Sequence, residues 1–390
     1  MKYYSNLFFV LTILIFSLFM VINPRETVIA ASDGAKLWAA AVFPALFPFF
    51  VVAELLISLR FVNFLGVLLE PVMRPLFRLP GCSSLVVVMG FTSGFPMGAI
   101  LTRKLYDNKM LTGGEAERLA CFTNNCSPLF IIGAVGVGMF NLPWMGYLLA
   151  AAHYLSNLII GFLLRFRPET ASFHPPIPHH LFRAACAELS NYEEAPPATG
   201  KLLSDAIRTA LSNVMAVGGF IIIFAVIARM LTVWGIMDIL ALILTKLMAV
   251  FDLSYPIAYG ISTGLFEITI GSRTIAASQA DLLPKILAVS ALLAFSGLSI
   301  IAQVMSILVQ TPVRLSFYLK MRFSQVIVSI GLTMAGYLAL AGHPAINSMS
   351  IPFYKVAYSF DAWTFFIHCM IFGTAATFIL LLISLNLSKD

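Results

Sequence analysis

Long apolar runs alternate with short polar connections along most of the chain. Seven runs approach the length of about 20 apolar residues that crosses a bilayer as a helix: Leu7–Ile22, Leu37–Leu59, Trp144–Leu164, Leu211–Ile227, Ile286–Val309, Val326–Ala341 and Trp363–Ser384. Shorter or interrupted runs lie at Ser83–Leu101, Leu119–Phe140, Ile236–Phe251 and Tyr255–Ile270. The pattern predicts roughly ten to twelve membrane-embedded elements. Because lipid satisfies no backbone hydrogen bond, these elements are expected to form an α-helical bundle.

The first apolar run has features of a first transmembrane helix and of a secretory signal peptide. A single lysine precedes it, and the small residues Ala30 and Ala31 follow it. Its apolar stretch is long for a signal peptide. We therefore expect residues 1–33 to form an uncleaved N-terminal transmembrane helix, with a signal peptide as the alternative.

Composition places the chain among polytopic membrane proteins, with the lipid bilayer as its partner. Charged residues make up 11% of the chain, whereas soluble domains carry about 25%. The net charge of +6 does not indicate a nucleic-acid partner, because lysine and arginine are scattered among the loops, as the positive-inside rule leads one to expect. The largest polar segment, Arg165–Arg208, holds five of these basic residues and is expected in the cytoplasm. The five cysteines contain no Cys-x-x-Cys pair and predict no disulfide framework.

Two stretches of the chain share an unusual polar pattern. GFTSGFPMGAILTR begins at Gly90, GISTGLFEITIGSR begins at Gly260, and both read G-x-[ST]-[ST]-G-x7-[ST]-R. Chance similarity between apolar helices would preserve leucine and isoleucine rather than this skeleton. The repeat predicts a duplication with repeat 1 over residues 34–165 and repeat 2 over residues 205–320. A polar loop would join them at residues 166–204, and C-terminal transmembrane helices would follow at residues 321–390.

Glycine-interrupted segments at matching positions of two repeats indicate the binding site of a secondary transporter. Nine residues of helix from Gly94 to Arg103 span about 13.5 Å, which is nearly half of the roughly 30 Å hydrocarbon core. The pattern therefore predicts re-entrant hairpins at Ser83–Thr102 and Tyr255–Ser272, with the first tip at Thr92–Gly94. The alternative is close helix packing through the GxxxG pairs. Arg103 and Arg273 would lie at the hairpin feet as surface anchors.

Polar residues inside apolar spans are functional candidates because they are costly to embed. Asn124 and Asn125 form the densest set, and Pro128 frees the carbonyl of Asn124, so this span is expected to be broken. Glu267 would bind a proton or cation, or form a structural pair. His153 is expected to hydrogen-bond between helices. The three histidines of HPPIPHH lack a cysteine or acid to complete a metal site, and no cofactor is expected.

The sequence does not indicate an enzyme. It has no HExxH motif, no Walker lysine loop and no GxGD pair. A serine protease that uses Ser93 and His153 would be expected to have glycine two residues before the serine, where this chain has Phe91.

Four motifs carry a resemblance to a known family. GFTSGFPMGA, the TxxEAERL pattern of Thr112–Leu119, FTNNCSPLFI and the GAVGVGM of Gly133–Met139 resemble the sporulation integral membrane proteins of the YlbJ type. The likeness covers about residues 30 to 340. It implies two nucleoside-recognition gate domains with the inverted-repeat architecture of concentrative nucleoside transporters. It also implies endospore formation, in which dipicolinic acid leaves the mother cell across the outer forespore membrane.

The resemblance implies a substrate site between the hairpin tips and the broken helices that follow them. The second copy departs from the first, because AFSGLS lacks the asparagine pair and the proline. The candidate substrate-binding residues are Gly90, Thr92, Ser93, Gly94, Asn124, Asn125, Ser127, Ser262, Thr263, Gly264, Glu267, Ser296, Ser299 and Gln303.

The free N–H groups of broken helices favour an anion. Dipicolinate, a flat aromatic dianion, would place one carboxylate at each tip. Nothing in the residues separates it from a nucleoside or another small solute, and Glu267 keeps a ribose partner open. A non-transporting membrane component of spore assembly is the alternative class, although a scaffold needs no paired polar hairpins. A homo-oligomer also stays open.

Overall fold

The computed structural model describes residues 2–167, 180–190, 199–249 and 253–340, and all regular elements in these ranges are helical. The first half contains α1 (Lys2–Ile22), α2 (Pro24–Leu37), a short π-helix (Trp38–Val42), α3 (Phe43–Ser58), α4 (Phe61–Phe77), α5 (Ser83–Thr92), α6 (Met97–Asp107), α7 (Gly113–Thr123), a second π-helix (Leu129–Met139) and α8 (Pro143–Leu164). The second half contains α9 (Leu181–Ser190), α10 (Thr199–Val233), α11 (Ile236–Leu247), α12 (Tyr255–Phe266), α13 (Ile268–Ala277), α14 (Leu282–Phe295), α15 (Gly297–Ile307) and α16 (Leu315–Leu340). The predicted all-helical class is confirmed. The apolar run Trp363–Ser384 and most of the polar loop at 166–204 lie outside the described residues.

Four helical stretches of the described residues are long and apolar enough to cross a membrane. These are α8, α10, the α14–α15 pair and α16, and the number rises to six if two bent pairs are each one span. The pair α1–α2 bends by 104° and the pair α3–α4 by 83°. Pro24 explains the first bend, because it has no N–H to continue the hydrogen bonding of α1. The structure therefore differs from the predicted single helix over residues 1–33, because α1 ends at Ile22 and the chain turns there.

The chain reverses direction between α5 and α6. In a continuous helix Gly90 and Gly98 would lie about 12 Å apart. Yet a Cβ added at either glycine would meet the same atom, the carbonyl oxygen of Thr123, at 2.1 Å and 2.4 Å. The turn occupies Ser93–Pro96, where Gly94 has φ +91°. The predicted hairpin exists, and its glycines also pack against a neighbouring backbone, so both interpretations of the motif hold in part.

The second repeat stretch also folds into a hairpin, with its turn at a different position. A Cβ added at Gly271 would meet Gly264 at 2.2 Å, and a Cβ at Gly260 would meet Ile275 at 2.4 Å, so α12 and α13 lie against each other. The turn is at Glu267, whose backbone is extended. It lies three residues beyond Gly264, which the gapless alignment pairs with the first tip residue Gly94. The gapless alignment of the two stretches therefore misplaces the second tip.

A broken helix follows each hairpin. Residues 124–127 separate α7 from the second π-helix, which confirms the predicted break at the asparagine pair. Ser296 separates α14 from α15 in the left-handed conformation, at φ 78°. The proline that the second copy lacks is therefore not required for a break.

The TxxEAERL pattern anchors the start of α7. The Thr112 hydroxyl and the Glu115 carboxylate form a capping box. The buried Glu117 carboxylate accepts hydrogen bonds from Arg314, at 2.9 Å from both Nε and Nη2, and from Arg167 Nη1 at 2.7 Å. Arg167 follows α8 and Arg314 precedes α16. This cluster therefore ties the ends of α8 and α16 to α7 and holds the first broken helix in place.

Candidate functional site

A cavity of about 670 Å³ lies where the two hairpins meet the two broken helices. Its volume falls within the range of roughly 300–1,000 Å³ found for small-molecule sites. One wall is apolar and comes from the region of α2 and α3 and from α10. Six of the predicted site residues line the cavity, namely Ser93, Gly94, Ser127, Glu267, Ser299 and Gln303. The predicted hairpins and broken helices therefore surround this cavity, and six of the predicted residues face it.

Four helices begin at this cavity. Residues in or just before the first turns of α6, the second π-helix, α13 and α15 all appear in its lining: Gly94, Phe95, Ser127, Leu129, Phe130, Glu267, Ile268, Thr269, Ser299 and Ile300. The first N–H groups of a helix have no partner within the helix and carry a partial positive charge. At α6, the second π-helix and α13, one such N–H donates to Asn124, Ser127 or Glu267. The start of α15 has no side-chain cap hydrogen bond. Together the four helix dipoles favour an anion.

The first hairpin brings an unpaired hydroxyl to the cavity. Ser93 is 3% exposed, and its buried hydroxyl has no hydrogen-bond partner among the described residues. Gly94 approaches the first broken helix closely, because a Cβ there would lie 3.0 Å from Ser127. The Ser127 hydroxyl accepts a hydrogen bond from Phe130 N at 3.2 Å. Ser93 thus lines the cavity and has a buried hydroxyl without a hydrogen-bond partner among the described residues.

The second hairpin brings the charged groups of the cavity. The Glu267 carboxylate accepts a hydrogen bond from Ile270 N at 2.7 Å and caps α13. Arg273, six residues further along α13, lines the same cavity. Arg273 is also exposed, so the expectation that it is a surface anchor stays a prediction. Arg103 differs: it bonds Asp107 at 2.6 Å and the Ile307 carbonyl at 2.9 Å, and it does not line the cavity.

The asparagine pair lies behind the cavity wall and not in it. Asn124 Oδ1 accepts a hydrogen bond from Ala99 N at 2.8 Å, and its Nδ2 donates to Ala120 O at 2.8 Å. Asn125 is fully buried and its Nδ2 donates to Phe122 O at 3.2 Å. Neither lines the cavity. The expectation of direct solute contact is corrected: Asn124 joins the broken helix to the first turn of α6.

We expect Asn124→Leu to destabilise the fold by about 1–3 kcal/mol, because it leaves buried backbone groups without a partner. Asn108→Leu, at an exposed position after α6, is the matched control. Thermal unfolding of the purified variants in detergent measures the difference. Equal midpoints for the two variants would contradict the bracing role of Asn124.

Six further candidates also lie outside the cavity lining: Gly90, Thr92, Ser262, Thr263, Gly264 and Ser296. Their polar or small side chains serve the helices themselves. Ser262 donates to Ala258 O at 2.9 Å, and Thr263 donates to Gly260 O at 3.0 Å. Gly90 and Gly264 are contact points for neighbouring elements. Because the second turn lies at Glu267, its predicted tip residues are ordinary helix positions.

His153 and Arg322 complete the layer behind the cavity. His153 Nε2 accepts a hydrogen bond from Cys126 N at 3.3 Å, which confirms the expected link between helices. Arg322 in α16 is fully buried and donates to the Asn124 carbonyl at 2.8 Å. Sequence reasoning missed Arg322 because the apolar run was taken to begin at Val326. The signal in the sequence was an arginine that lies four residues, about one helical turn, before that run.

Among the described residues, no group of three or more His, Cys, Asp or Glu side chains could hold a metal ion. The HPPIPHH segment lies almost entirely outside the described residues. The expected absence of a cofactor stays a prediction.

Comparison with known proteins gives three findings. Residues 39–143 match the family model Gate, described as nucleoside recognition. The chain is 38% identical over 382 residues to the sporulation integral membrane protein YlbJ of Bacillus subtilis, covering 93% of this chain and 91% of that protein. An uncharacterized protein of Alkalihalophilus pseudofirmus is 31% identical over 127 residues, which are 31% of this chain and 26% of that protein. No solved structure matches the chain.

Proposed function

Because the chain belongs to the family of the sporulation integral membrane protein YlbJ, we propose that it is a secondary-type transporter of a small anionic solute. The chain is an integral membrane protein with several apolar helices. The observation that carries the proposal is the cavity at which four helices begin. A membrane protein with a purely mechanical role has no need to direct several helix N-termini at one cavity of the size of a small solute.

Dipicolinate is the solute that fits this chemistry and the sporulation family best. It is a flat aromatic dianion, so each carboxylate can accept hydrogen bonds from one side of the cavity, where Ser93 and the first turn of α15 supply donors. Phe95 and Phe130 in the lining offer aromatic surface to its ring. The proposed location is the outer forespore membrane, with movement out of the mother cell.

The two hairpins are proposed to be re-entrant and to belong to inverted repeats, as in concentrative nucleoside transporters. The shared G-x-[ST]-[ST]-G pattern and the reversal of the chain in both stretches support this proposal. In such an arrangement the two hairpins enter the membrane from opposite sides.

Cysteine labelling tests the inversion. Asn108 lies just after the end of α6, and Gln279 lies just after the end of α13; both are exposed. In a chain without native cysteines, we expect Asn108→Cys and Gln279→Cys to react with an impermeant maleimide from opposite sides of the membrane. Reaction of both from the same side would contradict the inverted arrangement.

A nucleoside is the second candidate solute. The match to the nucleoside-recognition family model and the Glu267 carboxylate in the lining favour it, because a carboxylate accepts hydrogen bonds from ribose hydroxyls. A non-transporting component of spore assembly is the remaining alternative.

A binding experiment separates these candidates. The purified protein is titrated with radiolabelled dipicolinate, with pyridine-2,6-dicarboxamide as an uncharged competitor of similar shape and with uridine as the nucleoside. We expect unlabelled dipicolinate to compete at a concentration at least about tenfold below the other two, which corresponds to one ionic hydrogen bond. Stronger competition by uridine would favour the nucleoside, and the absence of any binding would favour the non-transporting role.

A further inference from the structure

Arg322 connects the two broken helices. Its Nη2 donates to the carbonyl of Asn124 at 2.8 Å and to that of Cys121 at 3.3 Å, at the end of α7. Its Nη1 donates to Gln325 Oε1 at 2.7 Å and reaches the Ser296 hydroxyl at 3.5 Å, between α14 and α15. One side chain therefore contacts the breaks in both halves of the chain.

The Arg322 guanidinium has no acidic partner in this position. Its hydrogen-bond partners Ser296, Gln325, Cys121 and Asn124 are neutral. Within the described part of the chain it forms no ion pair with a carboxylate. The carbonyls at the end of α7 carry only the partial negative charge of a helix C-terminus. A fully buried arginine inside the helix bundle is costly, and such residues mark solute pathways or charge partners.

The charge of Arg322 lies directly behind the cavity wall. Asn124 precedes the lining residue Cys126 by two positions, and Ser296 precedes the lining residue Ser299 by three. Among the described lining residues, one acid and one base carry charge, Glu267 and Arg273, so their formal charges sum to zero. The sign of the field in the cavity therefore depends on the helix N-termini and on Arg322.

We propose that Arg322 is a specificity-determining residue whose fixed positive charge makes the cavity prefer anions, while its hydrogen bonds hold the two breaks together. The inference rests on the proposed function for its solute, but the field itself can be measured without one. A unit charge about 10 Å away, at an effective dielectric constant of about 20, changes the local concentration of a monovalent ion by roughly tenfold.

Gln325→Glu is the sharpest variant. It replaces the amide by a carboxylate of nearly the same shape. In the wild type the guanidinium of Arg322 donates to Gln325 Oε1, so the new carboxylate neutralises the charge of Arg322 without removing its side chain. Arg322→Gln removes the charge and the contacts together. Arg322→Lys keeps the charge without the two-sided hydrogen bonding. Lys320→Gln, exposed on the same helix, is the matched control for loss of a positive charge.

The readout is the reactivity of a cysteine placed at Ser127 in a chain without native cysteines. The ratio of modification rates by a sulfonate-bearing and a trimethylammonium-bearing methanethiosulfonate reports the sign of the local field. We expect Gln325→Glu and Arg322→Gln to lower this ratio by at least about tenfold. Arg322→Lys and Lys320→Gln should change it by less than about threefold, since each leaves the charge of residue 322 in place.

An unchanged ratio in Gln325→Glu would overturn the inference, because a merely structural Arg322 keeps its contacts in that variant. A drop of equal size in Lys320→Gln would overturn it as well, since any positive charge on α16 would then suffice. This readout contains no transported solute. A protein that binds no dipicolinate but shows the expected ratios would contradict the proposed function and support the charge role of Arg322.

Discussion

Replacing Ser93 with alanine is expected to weaken dipicolinate binding roughly 10- to 150-fold. Loss of a hydrogen bond to a charged ligand costs about 1.5–3 kcal/mol, and about 1.4 kcal/mol corresponds to a factor of ten. Ser93 is buried at the cavity and its hydroxyl has no partner among the described residues. Removing it costs no internal hydrogen bond, so stability should change little.

Thr263→Val is the matched control, because the alignment of the repeats pairs Thr263 with Ser93. The structure separates them: the Thr263 hydroxyl donates to carbonyls of its own helix and does not reach the cavity lining. We expect the dipicolinate affinity of this variant to stay within about threefold of the wild type, which is less than the change that loss of one hydrogen bond to the ligand would cause. Equal losses in both variants, measured by competition binding, would contradict this assignment of the first hairpin.

Gly98→Ala is expected to destabilise the first hairpin strongly. Its Cβ would lie 2.4 Å from the Thr123 carbonyl oxygen and 2.7 Å from the carbonyl carbon. These are backbone atoms, so one element has to move. Overpacking of this kind costs about 1–3 kcal/mol, and more where backbone resists. The same change at Gly90, which meets the same oxygen, should behave alike.

Gly219→Ala in α10 is the control, since a Cβ there meets no atom within 4 Å. Its helical position gains the better propensity of alanine. Thermal unfolding in detergent should give midpoints well below the wild type for Gly98→Ala and at or above it for the control. A wild-type midpoint in Gly98→Ala would show that the hairpin does not pack on Thr123 as described.

The sequence predicted the breaks because they depend on local chemistry. Glycine, serine, threonine and proline inside apolar runs mark places where the backbone leaves a helix, and both hairpins and the break after Thr123 follow from that pattern. The position of the second turn was not predictable from a gapless alignment. It is set by Glu267, whose carboxylate caps the helix that follows, while the first turn uses Gly94 with a positive φ.

The sequence could not show which candidate residues face the cavity, because this depends on partners that are distant in the chain. The side-chain amide of Asn124 forms hydrogen bonds to the backbones of Ala99 and Ala120, and Ala99 lies 25 residues away in the chain. Ser93 and Thr263 have equivalent patterns, but only one of them has free hydrogen-bonding capacity at the cavity. Arg322 acts on Asn124 across 198 residues. Each of these assignments requires the packing of helices that the pattern of apolar runs does not determine.

Flux of labelled dipicolinate through proteoliposomes tests the central claim most directly. Purified wild-type protein, Ser93→Ala and protein-free liposomes are compared under an inward gradient of solute, with pyridine-2,6-dicarboxamide as the uncharged tracer. We expect saturable dipicolinate uptake by the wild type at least about tenfold above that of Ser93→Ala at low solute concentration, with no comparable uptake of the dicarboxamide. Dipicolinate uptake by the wild type equal to that of protein-free liposomes, in a preparation shown to be folded, would contradict the transport of this anion.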